Sequence, residues 1–397
     1  MKPLSSRAQA VTASTTLRID AQYKKMLAEG KDVVGFGAGE PDFNTPAHIK
    51  DAGVAAISAD KTRYTPAAGT EELRKAICGK LKRDNNLDYA PSQVVVSSGG
   101  KHMLYLAFAC LLNPGDEVIL PAPYWVSYEE QIRLCGGVPV FVQCDKNFQL
   151  DPAAVVNAIT ERTKVLLINS PSNPTGAIIP RETLQLLASV CIANDLYVIS
   201  DEIYDKLVYD GEFCSIAALP NMQERTIVIN GVSKTYAMTG WRIGYAAANQ
   251  ELATVMANYQ SHSTSSPSTI SQSAAAAALN GDQSCVAAQR KVFKTRRDLF
   301  MQLAADIPRV TVVRPKGAFY VMMSIADFVG TEIYGRLIKS ADDFAEVLLD
   351  KAGVAVVPCA GFGAPNHLRW SYATSEENII KGLSRLKTFI AQIDAPV

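Results

Sequence analysis

The sequence predicts an α/β fold in which a mainly parallel central sheet is sandwiched by helices, beside a smaller α+β domain. Between about residues 50 and 245, short runs rich in Val, Ile and Leu alternate with helix-like segments, the runs being VVVSS, DEVILPAP, VPVFVQC, KVLLINS, LYVISDE and TIVINGVS. Continuous apolar runs of this length are typical of strands buried on both faces. Their alternation with helical segments indicates parallel strands joined by helical crossovers.

The C-terminal part of the chain has a different pattern. From about residue 285 the sequence predicts charged amphipathic helices and a short strand pair within TVVRPKGAFYVMM. The last predicted helix opens with the capping-box pattern Thr374-Ser375-Glu376-Glu377. Its apolar face would carry Ile379, Ile380, Leu383, Leu386, Phe389, Ile390 and Ile393. We expect an N-terminal segment (1–45) that belongs to the small domain, a large α/β domain (46–284) and a C-terminal α+β domain (285–397).

The composition favours a globular protein that binds small molecules. The 397 residues are 48% hydrophobic, and 39 basic side chains balance 39 acidic ones, so no net field attracts a nucleic acid. The eight cysteines form no CxxC pair, which indicates reduced, buried thiols. The four histidines show no metal-ligand spacing. No signal-peptide core and no apolar run near ~18 residues is found, so we expect a cytoplasmic protein that binds neither metal, membrane nor nucleic acid.

Polar and Gly-rich residues follow several of the predicted strands directly. These segments are SSGG over 97–100, NSPSNPTG, SDEIY and NGVSK. In open α/β sheets, ligands bind beyond the carboxyl ends of the strands. The four segments are therefore expected to meet at one pocket.

Lys234 is the first candidate for chemistry at that pocket. A lysine amine normally has a pKa of ~10.4 and is a poor nucleophile at neutral pH. At the end of a buried strand, with Arg242 eight residues on, its pKa would be lowered and it could form a Schiff base with a carbonyl. The alternative is an ordinary lysine whose stem covers apolar surface while its amine reaches water.

The other strand ends offer possible partners, each with an ordinary structural alternative. Asp201 could pair with a protonated ring nitrogen or cap a helix. Tyr204 could donate to a phenolic oxygen or be a core tyrosine, and Asn173 could present its amide to a ligand or form an Asx turn. Backbone N–H groups around Gly99 and Gly100 could hold a phosphate at a helix start, although many α/β loops contain Gly-Gly.

Together these segments resemble the class I aminotransferases of the fold-type I pyridoxal-phosphate enzymes. The lysine signature of that family is found here as GVSK over 231–234 followed by GWRIG over 240–244. Further familial segments occur in the family's order, namely AGEPDFNTP, YTPAAGTEELR, PYWVSY, NSPSNPTG, SDEIY, GAFY and LRWSYATSEEN. The nearest resemblance is to bacterial aspartate aminotransferases that carry AGEPDF and SYATSEEN. It implies a seven-stranded sheet, a pyridoxal 5′-phosphate cofactor and a homodimer with shared active sites.

The resemblance also implies catalytic roles. Lys234 would carry the cofactor aldehyde as an internal aldimine and then act as general base. Asp201 would keep the ring nitrogen protonated, while Tyr204 and Asn173 would hydrogen-bond the phenolic oxygen. Arg369 would grip the substrate α-carboxylate as a bidentate fork, a geometry that lysine cannot copy.

Further positions would hold the phosphate, the ring and the substrate. The expected phosphate ligands are Ser233, Arg242, Gly99, Gly100 and, reaching into a second subunit's site, Tyr64. Trp125 would stack on the ring face and contact the substrate. Asn173 and the backbone near Gly39 would help to hold the α-carboxylate.

Substrate choice depends on fewer residues. The resemblance suggests Lys101, Ser14 and Thr16 for the distal carboxylate of an acidic substrate, although each also has an ordinary interpretation as a solvated lysine or a turn or cap residue. Three positions depart from the commonest family pattern and could shift the preference toward aromatic amino acids or prephenate. They are Thr12, Tyr236 and Trp370.

Three hypotheses follow. The first is an aminotransferase that moves the amino group between L-aspartate or L-glutamate and 2-oxoglutarate or oxaloacetate by a ping-pong mechanism. The second is another enzyme on the same scaffold, either an aromatic amino acid or prephenate aminotransferase or a β-eliminating lyase. The third is a non-catalytic effector-binding module, which the intact Lys234, Asp201, Tyr204, Arg242 and Arg369 argue against.

Overall fold

The computed structural model describes residues 2–9, 11 and 15–393. Within these residues fifteen strands occur: β1 (Val34–Gly35), β2 (Val94–Ser97), β3 (Glu117–Ala122), β4 (Val138–Gln143), β5 (Thr163–Asn169), β6 (Tyr197–Asp201), β7 (Thr226–Gly231), β8 (Gly244–Ala247), β9 (Thr311–Val312), β10 (Tyr320–Ser324), β11 (Glu332–Ile333), β12 (Arg336–Leu337), β13 (Val354–Ala355), β14 (Val357–Pro358) and β15 (His367–Ser371).

The same residues form thirteen α-helices and six short 3₁₀ turns. The helices are α1 (Ser6–Gln9), α2 (Thr15–Ala28), α3 (Ala47–Ser58), α4 (Glu71–Asn85), α5 (Gly100–Leu111), α6 (Ser127–Leu134), α7 (Pro152–Ala158), α8 (Arg181–Ala193), α9 (Gln250–Ser263), α10 (Thr269–Asn280), α11 (Ser284–Ala304), α12 (Ala341–Ala352) and α13 (Glu376–Ile393). The turns are Pro91–Gln93, Ile216–Ala218, Gln223–Arg225, Thr239–Trp241, Ala326–Phe328 and Ala360–Phe362.

The central sheet has seven strands in the order β2-β8-β7-β6-β5-β3-β4. Strand β8 is antiparallel to both neighbours, and the other pairs are parallel. All six predicted apolar runs are strands, so the prediction of a mainly parallel, seven-stranded sheet is confirmed. The antiparallel strand follows β7 after a short connection, which suffices for an antiparallel neighbour, whereas a parallel one needs a long crossover.

Both faces of this sheet are buried under helices. Along β2, the side chain of Val95 packs into one apolar core with helices α5, α6 and α9. Its neighbours Val94 and Val96 pack into a second core with α3, α4 and α10. Successive strand residues point to opposite faces, which explains why the apolar runs are continuous rather than alternating.

The C-terminal part contains a four-stranded antiparallel sheet in the order β14-β15-β10-β9. Its core includes residues of helices α11, α12 and α13. The N-terminal strand β1 pairs in parallel with β13, joining Val34 to Val354 and Gly35 to Ala355. The chain's beginning therefore contacts its C-terminal part, while the domain boundaries at 45 and 284 stay a prediction.

The last helix differs from its prediction in two details. The Ser375 hydroxyl, and not that of Thr374, accepts from the Asn378 backbone N–H at 3.2 Å. The Thr374 hydroxyl accepts instead from the Asn378 side chain at 2.9 Å. Ile380 was predicted on the apolar face but is 47% exposed, because a step of one residue rotates it about 100° away from the buried Ile379.

The thiols and helices bear on two further predictions. All eight cysteines are free, but two of them, Cys191 and Cys359, are buried, whereas the other six are half-buried, so the prediction of buried thiols is wrong for those six. Each of the six retains partial solvent contact because it lies at the edge of an apolar core. Among the described helices, none combines the length and apolar character needed to cross a membrane.

Candidate active site

Predicted residues from distant parts of the chain line one cavity of about 660 Å³. Eleven of the fifteen candidates border it: Gly39, Gly100, Lys101, Trp125, Asn173, Asp201, Tyr204, Ser233, Lys234, Arg242 and Arg369. The strand register brings the ends of β5 and β6 to the same level, since Asn169 at the end of β5 lies opposite Asp201 at the end of β6. Strand β15 of the smaller sheet adds Arg369 from the other side.

Lys234 follows strand β7 and is half-buried at the edge of the cavity. Its Nζ donates a hydrogen bond to the carbonyl of Gly39. Burial lowers the pKa of Lys234 to about 8; the Glu40 carboxylate opposes this shift, and the cations of Arg369 and Arg242 add to it. At pH 7 roughly a tenth of such an amine is neutral, so Lys234 is a usable nucleophile and base.

Asp201 ends strand β6 as a buried carboxylate, 5% exposed. The Tyr128 hydroxyl donates to its Oδ2 at 2.7 Å and the Ile203 N–H to its Oδ1 at 3.2 Å. Burial raises the pKa of Asp201 to about 6. Within the described residues it forms no salt bridge, and a buried carboxylate is stable as an anion only beside a cation. A cationic N–H group in the cavity would therefore be held here.

A cradle for an anion is formed where helix α5 begins. Gly99 has φ +90°, and a Cβ at this position would overlap Nη2 of Arg242. A Cβ at Gly244 would overlap the backbone N of Gly100, so glycine at both positions lets the loop, the guanidinium and the helix start approach. Arg242 Nη1 donates to the Thr239 carbonyl at 2.8 Å, and no carboxylate in the described part of the chain pairs with this guanidinium. A helix N-terminus beside an unneutralised arginine suits a phosphate.

Arg369 is a second arginine without a described carboxylate partner, and it is only 5% exposed. Its Nη1 donates to Asn173 Oδ1 at 3.0 Å and its Nη2 to the Gly37 carbonyl at 3.1 Å. Gly39, whose neighbouring backbone is predicted to help hold the substrate carboxylate, lines the cavity close to this arginine's partner Gly37, and its carbonyl accepts from Lys234. A buried guanidinium of this kind requires an anion, and its fork suits a carboxylate.

Aromatic side chains and a lysine complete the wall of the cavity. Trp125 meets the Tyr128 ring edge-on, with centroids 5.3 Å apart. The Lys101 amine lies 4.8 Å from the centroid of Trp125, and burial with the nearby Arg242 lowers the pKa of Lys101. The Tyr204 hydroxyl lies 2.9 Å from that of another tyrosine, Tyr320. Lys101 thus brings an amine to the cavity wall.

Other candidates are not brought to the cavity. Tyr64 is 92% exposed and lies outside it. Tyr236 and Trp370, which could shift the substrate preference, are buried in apolar cores and do not line it. Three positions lie outside the described residues or side chains, namely Thr12, Ser14 and Thr16.

Sequence reasoning missed several residues that organise the site. Tyr128 orients Asp201, and the Asn169 side chain donates to the Asp201 carbonyl at 2.9 Å while accepting from the Asn173 N–H at 2.8 Å. Tyr320 contacts Tyr204. Tyr128 and Tyr320 lie within the quoted segments PYWVSY and GAFY, so their position in familial motifs was the available signal.

Comparisons with known proteins agree with this geometry. The family model described as aminotransferase class I and II matches residues 31–386. An aspartate aminotransferase of Bacillus sp. (strain YM-2) is 47% identical over 98% of this chain and 99% of its own length. A probable aspartate/prephenate aminotransferase of Aquifex aeolicus (strain VF5) is 45% identical over 99% of this chain and 100% of its own.

A solved structure is also similar over almost the whole chain. It is the aspartate aminotransferase of Thermus thermophilus with maleate, which superimposes with a TM-score of 0.93 at 43% identity and covers 98% of this chain and 100% of that chain. The family match and these similarities extend over almost the whole chain. The chain therefore belongs to the class I and II aminotransferase family and is an aminotransferase.

Proposed function

We propose that this aminotransferase uses pyridoxal 5′-phosphate and moves an amino group between L-aspartate or L-glutamate and 2-oxoglutarate or oxaloacetate. One observation carries the proposal: a single cavity contains a lysine with a lowered pKa, a buried carboxylate without a described cation and two arginines without described carboxylate partners. These four charged groups match the aldehyde, the ring nitrogen, the phosphate and the α-carboxylate that such a reaction brings together.

The chain's donors fit the cofactor group by group. Lys234 would bind the aldehyde carbon, and Asp201 would hold a proton on the ring nitrogen. The helix start at Gly100, with Ser233 and Arg242, would bind the phosphate. When bound, the cofactor supplies an exchangeable aldehyde and a ring that accepts negative charge from the substrate Cα.

The protein's own part in the reaction is binding and proton transfer. Arg369 binds the α-carboxylate with its fork and so fixes the amino acid relative to Lys234. The Nζ of Lys234 would then take the Cα proton as general base and deliver it to the cofactor's aldehyde carbon, and it would carry out the same two transfers in reverse when the second oxo acid reacts. The Tyr128 hydroxyl donates to Asp201 and so orients the carboxylate that would hold the proton on the ring nitrogen.

An acidic substrate is favoured by the charge in the cavity. In addition to Arg369 and Lys234, the cavity contains the Lys101 cation, which would stabilise a second carboxylate. Maleate, found with the Thermus thermophilus relative, is such a dicarboxylate. A substrate with a neutral side chain would form no ion pair with the Lys101 amine, which is exposed, and would therefore gain less binding free energy.

A panel of substrates tests the proposal. Purified protein loaded with the cofactor is expected to be yellow and to lose this colour when L-aspartate or L-glutamate is added. In steady-state assays, kcat/KM for these donors should exceed that for L-alanine by about 10- to 100-fold, the worth of a charged hydrogen bond. A preference for L-tyrosine or prephenate over both acidic partners would show instead that the aromatic alternative is correct.

The same substrates should be tested with Lys101→Ala, which isolates the contribution of the Lys101 amine. It should raise KM for the dicarboxylic substrates by about tenfold and leave L-alanine turnover unchanged, because only the former use the Lys101 amine. Lys101→Arg, which keeps the charge, should restore part of the preference. Equal losses for acidic and neutral donors would remove Lys101 from the proposed specificity site.

We also propose a homodimer with shared active sites. Tyr64 is 92% exposed, and the apolar side chains of Val54 and Ile57, a few positions earlier in the chain, are exposed as well, which an interface would cover. Sedimentation at micromolar concentration should give the mass of two chains, and Tyr64→Phe should weaken cofactor affinity about tenfold by removing a hydrogen bond to the phosphate. A monomeric mass, or unchanged affinity, would contradict the shared site.

A further inference from the structure

Tyr320 contacts two candidate residues of the cavity, Tyr204 and Arg369. It is the first residue of β10, fully buried, and it lines the cavity wall. Its hydroxyl is 2.9 Å from the hydroxyl of Tyr204. The face of its ring lies against the guanidinium of Arg369, whose Cζ is 4.5 Å from the ring centroid. One side chain therefore contacts both the expected ligand of the phenolic oxygen and the expected ligand of the α-carboxylate.

Strand register explains this position. Arg369 lies opposite Met322 in the antiparallel pair of β10 and β15. Tyr320 is two residues from Met322 and so points to the same face of the sheet, diagonal to Arg369. The ring is held by its neighbour Phe319, with centroids 4.6 Å apart. The Arg369–Tyr320 contact is thus built into two adjacent strands rather than into a loop.

Aromatic rings restrain the guanidinium perpendicular to its plane, the direction that its hydrogen bonds leave open, and the Tyr320 ring is nearer to it than that of Phe362. Asn173 and the Gly37 carbonyl accept N–H groups in the guanidinium plane. The Tyr320 face supports that plane by a cation–π contact at 4.5 Å from Cζ to the ring centroid, against 5.3 Å for Phe362. Arg369 can therefore present its remaining N–H groups to a carboxylate without first losing rotational freedom.

The hydroxyl has a different effect, on the direction of a proton. A tyrosine has a single O–H donor. If Tyr204 donated to Tyr320, it would have no proton left for an oxygen in the cavity. When Tyr320 donates to Tyr204, the Tyr204 proton is free to point into the cavity, and the first hydrogen bond polarises and strengthens the second.

We propose that Tyr320 is a positioning residue with two separable parts: its ring orients Arg369 for the α-carboxylate, and its hydroxyl directs the proton of Tyr204 to the phenolic oxygen of the cofactor. The proposal rests on the function proposed above. Because the ring and the hydroxyl act on different partners, two substitutions separate them. Tyr320→Phe removes only the hydroxyl, and Tyr320→Leu removes the aromatic face as well.

The first measurement is the pH titration of absorbance of the cofactor-loaded protein without substrate. Tyr320→Phe should raise the titration midpoint by about half a pH unit, since a weaker Tyr204 donor leaves the phenolic oxygen more negative and the neighbouring nitrogen holds its proton more tightly. In a Tyr204→Phe background the same substitution should have no effect, because the Tyr204 hydroxyl through which Tyr320 acts is absent. An unchanged midpoint, or a shift that persists without the Tyr204 hydroxyl, would overturn the hydroxyl's role.

The second measurement is the Kd for maleate, an unreactive dicarboxylate, from absorbance changes of the loaded protein. Tyr320→Phe should stay within about twofold of the parent, and Tyr320→Leu should weaken maleate by about 3- to 30-fold, the range of a cation–π contact. Equal Kd values for the Phe and Leu variants would overturn the ring's role. Should Tyr320→Leu not fold, the same prediction applies to Tyr320→Met, whose longer, flexible side chain fills the site differently but has no aromatic face.

The outcome is distinguishable from a failure of the proposed function. If the parent protein shows no absorbance titration and no turnover of acidic amino acids, the proposed function is wrong. If the parent behaves as proposed and both Tyr320 variants match it, only the positioning role is wrong.

Discussion

Lys234→Ala is expected to lower kcat for amino transfer by at least about 10³-fold, the range of a well-placed general base. The amine that this substitution removes is the basic group whose pKa burial brings to about 8, and it would be both covalent anchor and base. The cofactor should still bind, more weakly, through the cradle at Gly99 and Arg242. The measurement is steady-state and single-turnover kinetics with L-aspartate, together with cofactor retention on gel filtration.

Lys101→Ala is the control for this substitution, since it removes another lysine from the same cavity. It should leave proton transfer at near the parental rate for neutral donors. The parent protein provides a second check: the rate at which cofactor-free protein captures the aldehyde should rise with pH and level off above about 8, because the neutral amine is the nucleophile. Near-parental turnover by Lys234→Ala would disprove its assigned role.

Replacing Arg369 should have the second large effect. Arg369→Gln is expected to lower kcat/KM for aspartate roughly 30- to 4,000-fold. This corresponds to about 2–5 kcal/mol of lost transition-state binding, because the substrate carboxylate is left in a buried site without its cation. Arg369→Lys keeps the charge but not the fork and should recover only part of this loss. The reaction of a simple primary amine, which has no carboxylate, should be unaffected.

Arg297 offers a matched control. It is also fully buried, but it pairs with Asp210 and Asp298 and lies outside the cavity. Arg297→Lys should lower the free energy of unfolding and leave the ratio of aspartate to simple-amine reactivity unchanged. If Arg369→Gln slowed both reactions equally, its effect would be structural and the carboxylate would be bound elsewhere.

Much of the fold could be predicted from the sequence because burial leaves a local pattern. The continuous apolar runs that became β3, β5, β6 and β7 are buried on both faces, and the Gly-rich or polar residues that follow them mark the ends. The antiparallel β8 was missed since its short GYAA run carries little β-propensity of its own. The misplaced Ile380 shows the limit of periodicity at the flank of a helix.

The site could be predicted less completely. Asp201 ends a strand, Lys234 and Asn173 follow strands, and all three could be expected at the sheet's edge, while the resemblance added Arg369. Contacts between side chains far apart in the chain carry no local signal. The Tyr128–Asp201 hydrogen bond spans 73 positions, and the bond from Arg369 to Asn173 spans 196, so each depends on strand order and register.

By itself, then, the sequence determined the α/β class, the strand ends that meet at one edge, the family and the amine that can do chemistry. The tertiary structure alone decided which charges lack a described partner and how the aromatic side chains orient them. That Arg369 faces Tyr320 instead of a carboxylate follows from the pairing of β10 with β15. The physical reason is that burial is recorded residue by residue along the chain, whereas the balance of buried charges exists only between segments after they have packed.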